Sequence, residues 1–146
     1  MNNLTKLYTK IKDFADSHNM VNEFILAGSE DELSQREFNY RTMVMLPLEA
    51  NLSRELNNPV YELDFGIIVI DRTMLDDSLG YISSTEENVF VIGQLQDFLL
   101  QDNIDASFDN VELTTSTGED YNVTIAMTDF SVKLARQPYV RDIDNQ

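Results

Sequence analysis

Apolar residues recur at helical spacing near the start of the chain and at strand spacing in its middle. Between residues 4 and 18 they return every three or four positions, which predicts an amphipathic helix. From residue 60 they alternate on one face, while the other face turns apolar only at Ile68 and Ile70. This second pattern predicts a long strand that starts half exposed and ends buried on both faces.

Shorter patterns mark the elements between these two. Residues 21–27 and 41–48 have the composition of strands, and Pro47 must end the second of them or place it at a sheet edge. Ser29 and Glu32 have the spacing of a capping box, which predicts one or two helical turns. Residues 51–58 are polar and rich in turn formers, so we expect a loop there.

A second helix is predicted in the carboxyl-terminal half. The segment from Asp71 to Gly80 carries four charges and is expected to be a loop, and residues 84–87 open the helix with another capping box. Its apolar stripe continues to about Leu100. Gly93 lies inside the stripe, where glycine costs about 1 kcal/mol relative to alanine, so we expect close packing at that position.

The sequence pattern of residues 111–146 predicts a β-hairpin followed by an arm. Residues 111–117 form a strand candidate, residues 118–120 a hairpin turn, and residues 121–135 the last strand. Apolar residues of this strand occupy odd positions up to Met127 and even positions from Phe130. Because a regular strand cannot place both sets on one face, we predict a bulge or bend at Thr128-Asp129. Residues 136–146 have no periodicity and are expected to form an arm or flexible tail.

These elements predict one α+β domain over residues 1–135, with the order α-β-β-β-α-β-β. The sheet should be mostly antiparallel, with two helices packed on it. A chain of 146 residues suits one domain with a core of its own.

The distribution of charge narrows the function. The formal net charge is −16, and no positive side chain occurs between Arg72 and Lys133, an interval that holds twelve carboxylates. Such a field repels phosphates, so tight binding of nucleic acid is not expected. No signal peptide is recognisable, and the longest apolar run is far shorter than the ~20 residues of a spanning helix, so no membrane association is expected.

The sequence offers little catalytic chemistry. There is no cysteine, and the single histidine, His18, falls in the last turn of the first predicted helix, where packing explains it better than catalysis does. The five glycines never cluster, so no phosphate loop can be built. Asp105, Ser107 and Asp109 imitate the start of a calcium loop, but the turn glycine and the final glutamate are missing. We therefore expect no enzyme activity, no cofactor and no metal.

Several segments resemble the tail terminator and neck ring proteins of tailed bacteriophages. Residues 4–8 leading to residues 14–18, and then Phe24-Ile25 before Gly28, are similar to the opening of such proteins. The segment from Tyr61 to Asp71, followed by the Glu86-Glu87 helix, resembles their central strand and helix. The order of elements agrees as well, so the resemblance covers nearly the whole chain.

The resemblance implies a structural virion protein of the head-to-tail connection. It would form a homo-oligomeric ring, a hexamer or dodecamer, in contact with adjacent neck or tail proteins, and it would be assembled in the bacterial host cytoplasm. DNA would pass through this ring without tight binding. Three alternatives stay open: a small acidic DNA mimic that inhibits a DNA-binding enzyme, a carboxylate enzyme using a divalent metal, and an adaptor without chemistry of its own.

Assembly contacts are expected where loops, bends and basic ends present irregular or charged surfaces. Lys6, Lys10 and Lys12 near the amino terminus could also meet the acidic body of another copy, although a solvated helix face explains Lys6 and Lys10. The candidate contact residues are Asp71, Arg72, Asp76, Asp77, Asp129, Arg136 and Arg141.

Overall fold

Two long neighbouring strands form the centre of a sheet. The computed structural model describes residues 4–34, 36–55 and 58–135. In these ranges the elements are α1 (Leu4–Ser17), β1 (Glu23–Leu26), α2 (Glu30–Ser34), β2 (Thr42–Glu55), β3 (Asn58–Met74), α3 (Ser78–Gln101), β4 (Ala106–Phe108), β5 (Glu112–Thr117) and β6 (Tyr121–Ala135). β3 and β6 pair antiparallel over fifteen consecutive positions, from Val60 with Ala135 to Met74 with Tyr121.

The strand order is β1-β2-β3-β6-β4, and β5 pairs with the part of β6 that precedes the β4 pairing. Only β1 and β2 are parallel among the described strands. The expected single α+β domain with a mostly antiparallel sheet is confirmed. The helical turns predicted at residues 29–32 are confirmed as α2, and the structure adds β4 to the predicted elements.

The main core lies between one face of the sheet and the two longer helices. α1 contributes Leu7, Ile11 and Phe14 to it, as the helical spacing predicts. The apolar face predicted for β3 is confirmed, because Phe65, Ile67 and Val69 are buried there. Three aromatic rings form a stack at one end, with the Phe130 ring 5.3 Å from Phe65 and 5.4 Å from Phe108.

A second, smaller core lies on the opposite face of the sheet. Ile68 and Ile70 of β3 are buried there, so the prediction that this strand ends buried on both faces is confirmed. Side chains from α2 and the segment after it, Leu33, Phe38 and Tyr40, pack against this face.

The bulge predicted at Thr128-Asp129 is wrong. The register between β3 and β6 continues through both residues without a shift. The even positions from Thr124 to Leu134 face the main core, whereas Val123, Ile125 and Met127 pack against the second core. The two parities therefore belong to two cores on opposite faces of a regular strand.

β2 is longer than predicted. It continues through Pro47 to Glu55, with a register shift between Pro47 and Glu49, so the loop expected over residues 51–58 is wrong. Proline is tolerated at this point because β1 has already ended opposite Met45, which leaves β2 at the edge of the sheet. Local composition favoured a turn, but pairing along β3 overrides it.

α3 begins six residues before the predicted capping box. The carboxylate of Asp77 accepts the Gly80 N–H at 2.8 Å and caps the helix, so the loop expected from Asp71 to Gly80 shrinks to residues 75–77. At the other end, Asn103 adopts a φ of 58°, and the Ile104 N–H donates to the Leu99 carbonyl at 3.2 Å. This is a Schellman ending, closed by contact between buried Leu99 and Ile104.

The close packing expected at Gly93 is also wrong. A Cβ added to Gly93 would meet nothing within 4 Å. Its place within the apolar stripe of α3 therefore does not reflect a steric requirement for glycine.

Candidate functional site

A buried arginine connects the start of β2 to β3 and α3, at the junction between these last two elements. Arg41, only 7% exposed, precedes β2 and donates to Asp71 at 2.8 Å, to Glu87 at 2.6 Å and to the Asn88 side chain at 2.8 Å. Two carboxylates and an amide oxygen thus surround one guanidinium. Burying this charge is tolerable because each partner accepts a charge-assisted hydrogen bond.

Two further polar side chains, Ser84 and Thr124, complete this network. The Ser84 hydroxyl donates to Asp71 at 2.7 Å and also lies 2.6 Å from the Thr124 hydroxyl, and the Asn88 amide donates to the Thr124 carbonyl at 3.2 Å. Ser84, Asn88 and Thr124 are all buried. With these groups engaged in one another, the arrangement holds α3 against the sheet and presents no nucleophile.

The predictions from sequence did not include this network. A signal was available, because Ser84 and Asn88 lie on the helix face that also carries Val91, Leu95 and Leu99. Polar residues within an otherwise buried stripe require buried partners.

The structure brings four of the predicted contact residues to one end of the sheet. Asp71 points into the Arg41 network, whereas the guanidinium of Arg72 lies over the rings of Tyr40, at 5.0 Å, and Tyr121, at 4.4 Å. Asp76 is exposed in the turn before α3, and Asp77 is the exposed helix cap described above. Asp71 and Asp77 therefore have defined roles within the subunit.

The remaining predicted contacts are not part of that group. Asp129 lies eight positions along β6 from Tyr121 and pairs with Gly66 of β3. It shares a polar surface cleft with Asp109 and Glu112. Arg136 and Arg141 lie outside the described residues. Within residues 4–34, 36–55 and 58–135, no group of three or more acidic or histidine side chains is placed to hold a metal ion.

His18 packs as part of the helix end. Its ring lies 5.4 Å from Phe14, and Nδ1 accepts the Met20 N–H at 3.1 Å. In the neutral ring the proton is then on Nε2. This nitrogen lies 2.5 Å from the side-chain amide oxygen of Gln94, Oε1, and donates to it. Both nitrogens are used within the fold.

Two of the basic residues near the amino terminus have partners in the same subunit. Lys10 forms an ion pair with Asp102, which follows α3. Lys12 pairs with Asp16 at 2.6 Å, and this hydrogen bond raises the pKa of the Lys12 ammonium.

The acidic interval covers much of the surface. Of its twelve carboxylates, eleven belong to exposed residues, and Glu87, which contacts Arg41, is the exception. They are spread over α3, β5, β6 and the turns between them, so negative charge predominates on these elements. An anionic polymer approaching these elements would be repelled.

An apolar groove lies within this acidic region. It has a volume of about 480 Å³, and its lining combines α3 side chains with Leu113 of β5: Tyr81, Ile82, Thr85, Glu86, Val89, Phe90 and Leu113. Ile82, Phe90 and Leu113 are each more than half exposed. The Tyr81 and Thr115 hydroxyls, 2.7 Å apart, join the two walls. The helix pattern missed this surface because these residues lie beside the main apolar stripe.

A second uncovered surface is the outer edge of β2. β1 pairs with residues 42–45 only, so none of the described strands pairs with the outer side of residues 46–55. Leu48 is 50% exposed and Leu52 is 71% exposed on this segment. At the opposite edge of the sheet, β6 is the only described strand that pairs with β5, and β5 is exposed along its whole length.

The comparisons with known proteins give no family. No protein-family model matches the chain, and no curated protein matches it. In the part of the chain that the structure describes, no helix is long and apolar enough to cross a membrane.

Proposed function

We propose that this chain is a structural subunit of a bacteriophage neck or tail that forms rings of the tail terminator or head-tail connector type. The proposal rests on the resemblance of residues 4–28 and 61–87 and on one structural observation. That observation is the pair of uncovered strand edges, β2 on one side of the sheet and β5 on the other.

Uncovered edges on opposite sides of one sheet favour head-to-tail assembly. A strand edge presents unpaired N–H and C=O groups, and a monomer has to protect it or use it. When one edge of each copy meets the other edge of the next, the contact is heterologous and generates a ring if the rotation closes. The exposed leucines of β2 would then be covered in the assembly.

The charge is compatible with DNA passage. A ring that surrounds a moving duplex should repel phosphates, and eleven exposed carboxylates provide such a surface. The same carboxylates favour the second candidate, a DNA mimic that occupies the binding site of a DNA-binding enzyme. The two candidates differ in assembly, because a mimic acts as a monomer or dimer.

Native mass spectrometry and negative-stain electron microscopy of the full chain test the proposal. We expect closed rings, and we expect Leu52→Lys to abolish them because it places a charge on the uncovered segment of β2. Leu100→Lys is the matched control: Leu100, at the end of α3, is 54% exposed, and this variant should assemble normally.

The result against the proposal is a chain that stays monomeric and competes with DNA for a DNA-binding enzyme. Loss of rings in both lysine variants would show that β2 has no particular role. Genes for portal, capsid and tail proteins beside the gene for this chain would give independent support.

A further inference from the structure

None of the segments that the structure describes covers the groove between α3 and β5, and the chemistry of the groove restricts what can bind there. Its floor is apolar, and the carboxylate-bearing Glu86 lines it. No described lysine or arginine lines it. A suitable occupant is therefore a short segment with apolar or aromatic side chains and positive charge.

The chain itself contains such a segment after β6. Residues 136–141 read Arg-Gln-Pro-Tyr-Val-Arg, with an aromatic and a β-branched residue between two arginines and no carboxylate. Tyrosine and arginine are enriched among the residues that dominate binding energy at interfaces. Pro138 fixes its own φ and disfavours helix for the residue before it, so an extended segment costs less entropy to bind.

The length of the chain excludes the groove of the same subunit. Leu113 pairs with Ala126, nine residues before Ala135, and nine strand residues span about 30 Å. Val140 is five residues beyond Ala135, and five extended residues reach at most about 18 Å. Tyr139 and Val140 therefore cannot return to their own groove along the strand.

The position of Ala135 in the sheet instead allows the segment after it to reach a neighbouring copy. Ala135 pairs with Val60, which pairs with Ser53, so the segment leaves from the same end as the uncovered part of β2. The groove lies at the β5 edge on the other side of the sheet. Head-to-tail assembly would bring these two regions together.

We propose that residues 136–141 of one copy bind in the α3–β5 groove of the next copy, with Val140 on the apolar floor and Arg141 near Glu86. This proposal rests on the ring assembly proposed above, and it names the contact that connects adjacent subunits.

A disulfide trap tests this contact directly, because the natural chain has no cysteine. The full chain carrying both Leu113→Cys and Val140→Cys is oxidised and separated on a non-reducing denaturing gel. We expect a ladder of covalent multimers that ends at the ring size, since each copy joins two neighbours. The matched control combines Val140→Cys with Thr9→Cys, an exposed position on α1, and should give only background cross-linking.

The possible outcomes separate this contact from the ring itself. An internal disulfide in a monomer, or cross-linking no greater than in the Thr9→Cys control, would overturn the contact. If the unmodified chain still forms rings in that case, the ring proposal stands alone. A ladder without rings in the unmodified chain would support the contact and oppose the closed ring.

Charge exchange supplies a second readout. In the disulfide-trap background, Arg141→Glu should lower the initial rate of cross-linking by about 1.5- to 5-fold, as expected for the loss of an exposed ion pair. Glu86→Arg in that variant should restore the rate. An unchanged rate in the first variant, or no recovery in the second, would remove Arg141 and Glu86 from the contact.

Discussion

Replacing Arg41 by methionine should destabilise the fold strongly without changing its apolar cores. Methionine preserves much of the volume of the arginine stem but removes every charged hydrogen bond. Asp71 would then retain the Ser84 hydroxyl, and Glu87 and the Asn88 oxygen would lose their bonds to the guanidinium.

The expected magnitude follows from the exposure of these partners. Breaking a buried ion pair from one side costs about 3–5 kcal/mol. The Asp71 side chain is 19% exposed and remains poorly hydrated, whereas that of Glu87 is 43% exposed and can recover water. We therefore expect the lower end, a loss of about 3 kcal/mol in the free energy of unfolding.

Urea denaturation followed by circular dichroism measures this loss. With an m-value of about 2 kcal/mol per molar urea, the midpoint should fall by about 1.5 M. Arg36→Met is the matched control, because Arg36 is exposed away from the uncovered edge of β2, and its surface ion pair with Glu23, at 3.5 Å, is worth at most about 1 kcal/mol.

A double-mutant cycle with Asp71→Asn isolates the pair. The variant carrying both changes should be more stable than the sum of the two losses predicts, by about 0.5–3 kcal/mol. Equal midpoints for Arg41→Met and Arg36→Met, or strictly additive losses in the cycle, would refute the role given to this network.

Four further predictions concern α3, the main core and the surface charge. Gly93→Ala should stabilise the protein by about 0.5–1 kcal/mol in thermal or urea unfolding, since its Cβ meets open space. Gly80→Ala should instead destabilise it, because the new Cβ would overlap the capping carboxylate of Asp77; in an Asp77→Ala background the same change should become favourable, and a constant effect would contradict the overlap. Phe130→Ala should cost about 3–5 kcal/mol by removing the middle ring of the aromatic stack, and a loss below about 1 kcal/mol would contradict its packing. Raising NaCl from about 0.01 to 0.15 M shortens the screening length from about 30 to 8 Å, so the urea midpoint of the monomer should rise while ring stability falls.

Local sequence patterns predicted an element correctly where the burial of its side chains follows the period of that element. The spacing of Leu7, Ile11 and Phe14 gave α1, and the alternation along β3 gave both its main face and the burial of Ile68 and Ile70. Periodicity succeeds here because burial repeats with the period of the element itself.

The same reasoning failed where a distant partner set the structure. β6 showed two parities, which suggested a bulge, but an apolar side chain is equally favourable in either of two cores on opposite faces. β2 continued past Pro47 because β3 pairs with it, and α3 began at Ser78 because Asp77 caps it before Ser84 can. Each of these results depends on neighbours in space or on competition between two local signals.

The sequence by itself therefore determined the fold class, the main apolar faces and the acidic field, all of which follow from residue type and spacing. Only the tertiary structure decided where the groove, the uncovered strand edges and the buried ion pair lie. It directed Asp71 inward onto Arg41, and it joined α3 to Leu113 of β5 to form the groove. The physical reason is that grooves, uncovered edges and buried ion pairs are made by residues far apart in sequence, and only chain folding brings their side chains together.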